Sequence, residues 1–225
     1  ENVNRKPSFN FYPTSSFFLD QPKSWNKENH IRVFASLTQP RWSLSAQYLL
    51  LNNYTYYRQY FQVEQESSLF TVLQLNGFKD FRLGRKGWHW RTWLTLQQKT
   101  GSAAVNLPLL SLRNQLAYDG SFGFRNLRIS TGLEFRYFTP YAANQYSPVT
   151  GQFFYQDRET VCLRAPEIAA YAHFRIRAFM TYIRAENLNA FNFTSGGFTK
   201  NNVLLPNYPS PGLLIRVGIF WSFVN

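Results

Sequence analysis

The chain has 225 residues, including 22 Phe, 14 Tyr and 6 Trp, with 16% charged residues and a mean hydropathy of −0.34. It is too polar for a helical membrane protein, and no run approaches the ~20 apolar residues of a spanning helix. The formal net charge is +12, which points toward an anionic partner, and the single cysteine, Cys162, excludes an internal disulfide.

Residues 1–29 are rich in Asn, Ser and Pro and read as a loop-rich lead-in with at most one poorly marked strand. From His30 the pattern becomes regular. Ile31, Val33, Ala35 and Leu37 alternate with polar neighbours, and after the turn at 38–41 so do Trp42, Leu44, Ala46, Tyr48 and Leu50. A period of two with an intervening Pro predicts a β-hairpin. Further strands are expected around Leu69–Leu75, Trp88–Gln97, Leu110–Tyr118 and Leu127–Tyr137. The stretch 77–87, with three glycines and five charges, reads as a connection. Residues 151–160 read as a strand, 163–169 as a turn, and Ala172–Tyr182 as one continuous strand.

The last stretch, LLIRVGIFWSFVN, places Leu213, Ile215, Val217, Ile219, Trp221 and Phe223 on one face and Arg216 and Gly218 on the other. Such a ladder suits a strand in a lipid-facing barrel wall, or a buried strand of a soluble β-sandwich. About nine strands with no helical period, and long connections alternating with short ones, favour the first: an all-β, antiparallel up-and-down transmembrane β-barrel. One β-barrel domain is expected over 1–225.

Arg32, Arg91, Arg113, Arg128, Arg136, Arg175, Arg177 and Arg216 all fall opposite the apolar ladder. An Arg or Lys facing lipid at mid-membrane costs ~2–4 kcal/mol, so their confinement implies that this face is wet. Arg113, Arg128, Glu134, Arg136, Arg175, Arg177 and Arg216 are therefore the candidate pore-lining residues. Two readings stay open. Arginine rings can select anions, or the arginines can pair with Glu134 and other carboxylates and set only the packing. Nucleic acid is not the expected partner, because basic and aromatic residues largely occupy opposite faces.

Catalytic, metal and cofactor signals are missing. His30, His89 and His173 are far apart in sequence, and no G-x-S-x-G elbow, phosphate-binding Walker loop or H-E-x-x-H helix occurs. The Asn192-Phe193-Thr194 sequon stands alone. No catalytic residue, metal site or cofactor is expected, although residues close only in space could still form a hydrolase site.

Four stretches carry a family resemblance: TGLEFRYFTPYAANQYSPVTGQFFYQD (131–157), YPSPGLLIRVGIFWSFVN (208–225), NLPLLSLRNQLAYDGSFGFRN (106–126) and, more loosely, SWNKENHIRVFASLTQPRWSLSAQY (24–48). Together they resemble the Putative porin family of Bacteroidota outer membranes. Ala165-Pro166-Glu167 departs from the Tyr-Pro-acidic pattern of that family. The resemblance implies a large outer-membrane barrel of unknown cargo, of which this chain looks like the C-terminal part, and hence an incomplete barrel wall. It supplies no catalytic residues. Trp221 and Phe223 are the expected membrane-interface anchors, by similarity to outer-membrane proteins that end in an aromatic strand. The expected function is passive diffusion of small, anionic solutes through an Arg-lined lumen, with outer-membrane lipid around the wall. The alternative is a non-conducting barrel that scaffolds or binds, by self-association or with a surface lipoprotein.

Overall fold

Alternation of apolar and polar residues marks most of the ten segments that form the main sheet. They are β1 (Asn2–Arg5), β2 (Glu28–Gln39), β3 (Trp42–Asn52), β4 (Phe70–Leu83), β5 (Trp88–Thr100), β6 (Leu110–Gly120), β7 (Leu127–Phe138), β8 (Glu167–Ile176), β9 (Phe179–Glu186) and β10 (Leu214–Trp221). The computed structural model describes residues 1–12, 24–84, 87–161, 166–192, 197–198, 202, 205–208 and 212–222.

The ten strands pair antiparallel in chain order, from β1 at one edge to β10 at the other. The sheet is not closed into a barrel and fits an incomplete barrel wall. Short turns (40–41, 84–87, 121–126, 177–178) lie at one end and long connections (6–27, 53–69, 101–109, 139–166, 187–213) at the other. That asymmetry is the one expected of an outer-membrane wall.

Register keeps one face apolar across the sheet. Leu37, Leu44, Gly77, Leu94, Leu112 and Tyr137 share one row, and Phe81, Trp90, Leu116, Leu133, Ala170, Ala185 and Ile215 another. Among the described residues no second layer covers this face: Leu73, Leu75, Leu94, Leu96 and Leu133 are exposed. A soluble sandwich would bury such a face, and soluble monomers rarely expose apolar patches of this extent. Exposed Trp42, Phe81, Trp88, Trp90 and Trp221 gather toward the short-turn end. Lys79 is the one charge that the described strands place on this face. It is exposed, its Nζ lies 5.8 Å from the Phe81 ring centroid, and it sits in register with Trp42. A lysine near an interface can extend its ammonium toward water.

Three expectations need correction. The 77–87 connection is mostly strand: β4 runs to Leu83, because Phe81 and Leu83 continue the apolar ladder while Asp80 and Arg82 continue the polar one. The 151–160 strand is not continuous, and of the expected 163–169 turn residues 163–165 lie outside the described residues while 167–169 already belong to β8. Between β7 and β8, Gln145–Ser147 pairs with Gln152–Phe154 and Tyr141–Ala142 with Thr160–Val161. The continuous strand over 172–182 is the β8–β9 hairpin, which turns at Arg177 (φ 51°) and Ala178. The main sheet therefore has ten strands among the described residues. The lead-in does contain one short strand, β1, on β2.

In lipid, Leu94→Arg on the apolar face should destabilise the protein by about 2–4 kcal/mol. Gln97→Arg on the opposite face should change stability by no more than about 0.5 kcal/mol. Denaturant unfolding in vesicles measures both, and equal effects would contradict the assignment of faces.

Candidate functional site

The face opposite the apolar ladder carries nearly all the charge of the strands. Its basic residues are Arg5, Arg32, Arg82, Arg91, Lys99, Arg113, Arg128, Arg136, Arg175, Arg184 and Arg216, eleven in all. Its acidic residues are Glu28, Asp80, Asp119, Glu134, Glu167 and Glu186, six in all. The balance is five positive charges.

Glu134 is the organising carboxylate. Its side chain is 1% exposed. Arg113 reaches Oε2 at 2.7 Å, Arg136 reaches Oε1 at 2.6 Å and Arg184 reaches Oε1 at 3.3 Å. Arg184 also donates from Nε to Glu186 at 2.8 Å, and Arg216 meets the other Glu186 oxygen at 3.1 Å. Register explains the need for these carboxylates. Arg113 stands directly opposite Arg136, and Arg184 directly opposite Arg216. Like charges in directly opposed positions repel, and a shared carboxylate between strands offsets that. Arg113 also lies over the Trp93 ring at 4.7 Å, and Trp93 packs on Phe78 at 5.2 Å. The guanidiniums of Arg113, Arg136 and Arg216 remain about half exposed, so they are paired at one edge and wet at the other.

A second network lies toward the short-turn end. His89 Nδ1 is 2.9 Å from Asp80, Arg91 bridges Asp80 and Asp119, and the Ser130 hydroxyl donates to Asp119 at 2.6 Å. A His–Asp pair is two thirds of a hydrolytic triad. Among the described residues, however, no Ser, Thr or Cys is hydrogen-bonded to this imidazole, and Ser130 is committed to Asp119.

At the long-loop end the polar face turns apolar and is covered. Leu49, Leu51, Phe70 and Val72 point to this face and pack with Ala103, Val105 and Leu107 of the 101–109 connection. Lys99 Nζ donates to the Ala103 carbonyl at 2.7 Å. The hairpin Tyr54–Arg58/Gln62–Glu66 docks on the 139–166 connection, with Tyr155 N donating to Tyr57 O at 2.7 Å. Tyr57, Val63 and Phe154 form a small buried core against Phe11 and Trp25. Asn106 donates to Gln156 O at 2.6 Å and Asn207 to Glu159 at 3.2 Å, so all five long connections contribute to one layer. In this layer burial, and then the 2.7 Å hydrogen bond to Glu64, push the Tyr56 phenol well above its ordinary value, keeping it a neutral donor.

The structure thus brings together four of the candidate residues, Arg113, Glu134, Arg136 and Arg216. Arg128 and Arg175 face each other across β7–β8, away from that cluster. Arg177 is corrected: it occupies the β8–β9 turn with a left-handed backbone and is not on a strand face. Trp221 lies on the apolar face, 6.0 Å edge-on from Phe179, while Phe223 lies outside the described residues. Sequence reading missed Arg184, because it ran Ala172–Tyr182 as one strand and so lost the alternation after the turn. The signal was available in Tyr182-x-Arg184-x-Glu186.

Glu134→Gln should destabilise the protein by about 2 kcal/mol: a buried acceptor loses its charge, although the half-exposed arginines regain water. Gln115→Glu should recover part of the loss, because Gln115 stands directly opposite Glu134 and would return a carboxylate to the same row. Denaturant midpoints of both variants and the double variant check this.

No curated protein and no solved structure matches the chain. The sequence profile of the family described as Putative porin matches residues 1–225, the whole chain. An open, ten-stranded antiparallel wall with one apolar and one charged face is consistent with that match. The family implies outer-membrane localisation and a channel-type rather than enzymatic protein. The chain belongs to the Putative porin family and is a porin-like outer-membrane β-protein.

Proposed function

We propose that the charged face lines a solute path, and that the protein serves passive diffusion of small, anionic solutes across the outer membrane. The observation that carries this is the segregation of charge: eleven basic and six acidic residues on one strand face, against Lys79 alone on the other. The other face meets outer-membrane lipid. The anion preference comes from the excess of arginine. Where Glu134 and Glu186 already hold guanidiniums, that excess is partly cancelled. It is not cancelled at Arg128 and Arg175, which stand directly opposite one another and for which the described residues supply no ion-pair partner.

A second reading has its own support. The 101–109 connection packs on the polar face at the long-loop end, and five connections form one layer there. Such a layer suits a barrel that does not conduct and instead scaffolds or binds, with itself or with a surface lipoprotein.

Planar-bilayer recording of the full-length protein, with reversal potential measured under a salt gradient, separates the two. The expected result is stable steps with anion preference, lowered more by Arg128→Gln/Arg175→Gln than by Arg136→Gln. Absence of conductance from folded, heat-modifiable protein would replace the first reading by the second.

A further inference from the structure

Near the short turns, the charged face holds a cleft of about 900 Å³. Its shape follows from register. The row Ile129–Phe174–Thr181–Ile219 crosses it, but those side chains point to the apolar face. The floor is therefore bare backbone. One wall is the row Ser130–His173–Tyr182–Gly218, and the other is Arg128–Arg175–Met180–Phe220.

The two walls differ in chemistry. On the first, the Tyr182 ring lies over Gly218 so closely that a Cβ there would stand 2.2 Å from it. Glycine thus lets the ring lie flat, and His173 packs 5.8 Å from the same ring. Tyr182 keeps 41% of its surface exposed and Phe220, on the facing wall, 59%. On the second wall Arg128 and Arg175 stand directly opposite one another. Elsewhere on this face, opposed arginines are reconciled by Glu134 or Glu186. Here no carboxylate among the described residues pairs with either. The nearest candidate lining the cleft, Asp119, is already held by Arg91 and Ser130.

Two in-register guanidiniums without a carboxylate form a site for an anion, and exposed rings beside them form a site for a flat apolar surface. We propose that this cleft binds solutes that join a carboxylate or phosphate to a flat apolar face, the anion on Arg128 and Arg175 and the face against Tyr182 and Phe220. The proposal rests on the reading that this face lines the solute path, and it narrows the solute class from anions in general. The cleft volume suits a molecule of one or two rings. Aromatic acids and sugar acids share the required chemistry.

Isothermal titration of the full-length protein in detergent tests it, with benzoate, acetate and benzyl alcohol as probes. Benzoate should bind about tenfold more tightly than either half-probe, since only it uses both walls. Arg128→Gln/Arg175→Gln should abolish that advantage, and Tyr182→Leu should reduce benzoate to the acetate level. Glucuronate compared with glucose decides whether sugar acids also bind. Equal affinities for benzoate and acetate, or benzoate binding indifferent to both substitutions in folded protein, would overturn the proposal. Should the double variant not fold, Tyr182→Leu carries the test alone. Benzoate-selective binding without conductance would sink the diffusion reading and leave the cleft. Conductance without benzoate selectivity would do the reverse.

Discussion

Side chains alternate along a strand, so a slip of one residue would turn every arginine of this wall from one face to the other. At the centre of an apolar bilayer such a slip costs ~2–4 kcal/mol per Arg or Lys, and eleven basic residues hold the register. The same constraint creates its own difficulty. Crowding cations onto one face of adjacent strands sets Arg113 against Arg136 and Arg184 against Arg216. Glu134 and Glu186 resolve this by spanning strands. Glu134 ties β6, β7 and β9 with three guanidiniums, and Glu186 carries the chain of charges on to β10. A hydrophobic wall alone would fix which face is wet. The shared carboxylates fix which arginines remain in place.

The sequence made the face assignment legible because period two depends on nothing but the chain. Ile215, Val217, Ile219 and Trp221 against Arg216 and Gly218 could be read directly, and the structure keeps that division. The hairpin at Arg177 was not legible. Its two-residue turn has no Gly, Pro or Asn, and the left-handed backbone falls on an arginine, a residue that seldom adopts it. Missing the turn inverted the reading of β9, so Arg184 escaped notice. The β4 extension failed for the opposite reason. Lys79, Asp80 and Arg82 looked like a charged loop, although Asp80 and Arg82 stay on the wet face and Lys79 lies near an aromatic belt.

The loop layer was hidden for a third reason. Its contacts join segments distant in the chain, as with Tyr57 and Phe154 or Asn106 and Gln156. No local period announces such pairings. What the sequence did contain was surplus. Phe70, Val72, Leu49 and Leu51 are apolar at positions where the polar face should be wet. A break in alternation at a strand end marks the place where something covers that face, and Ala103, Val105 and Leu107 are what covers it.

The pairing of cations also sorts the arginines by what they can do. A guanidinium already sharing Glu134 is fixed, and an incoming anion must compete with a buried carboxylate for it. Arg128 and Arg175 face no such competitor, so an anion placed between them relieves a repulsion that the protein leaves standing. A path lined only by satisfied pairs would be rigid and weakly selective. A path lined only by unpaired arginines would strain the wall and hold anions too firmly to release them. This wall separates the two tasks along its polar face. Carboxylate-bridged arginines brace the strands nearer the loop layer, and an unbridged pair stands open near the short turns, beside rings that glycine at 218 leaves room to lie flat.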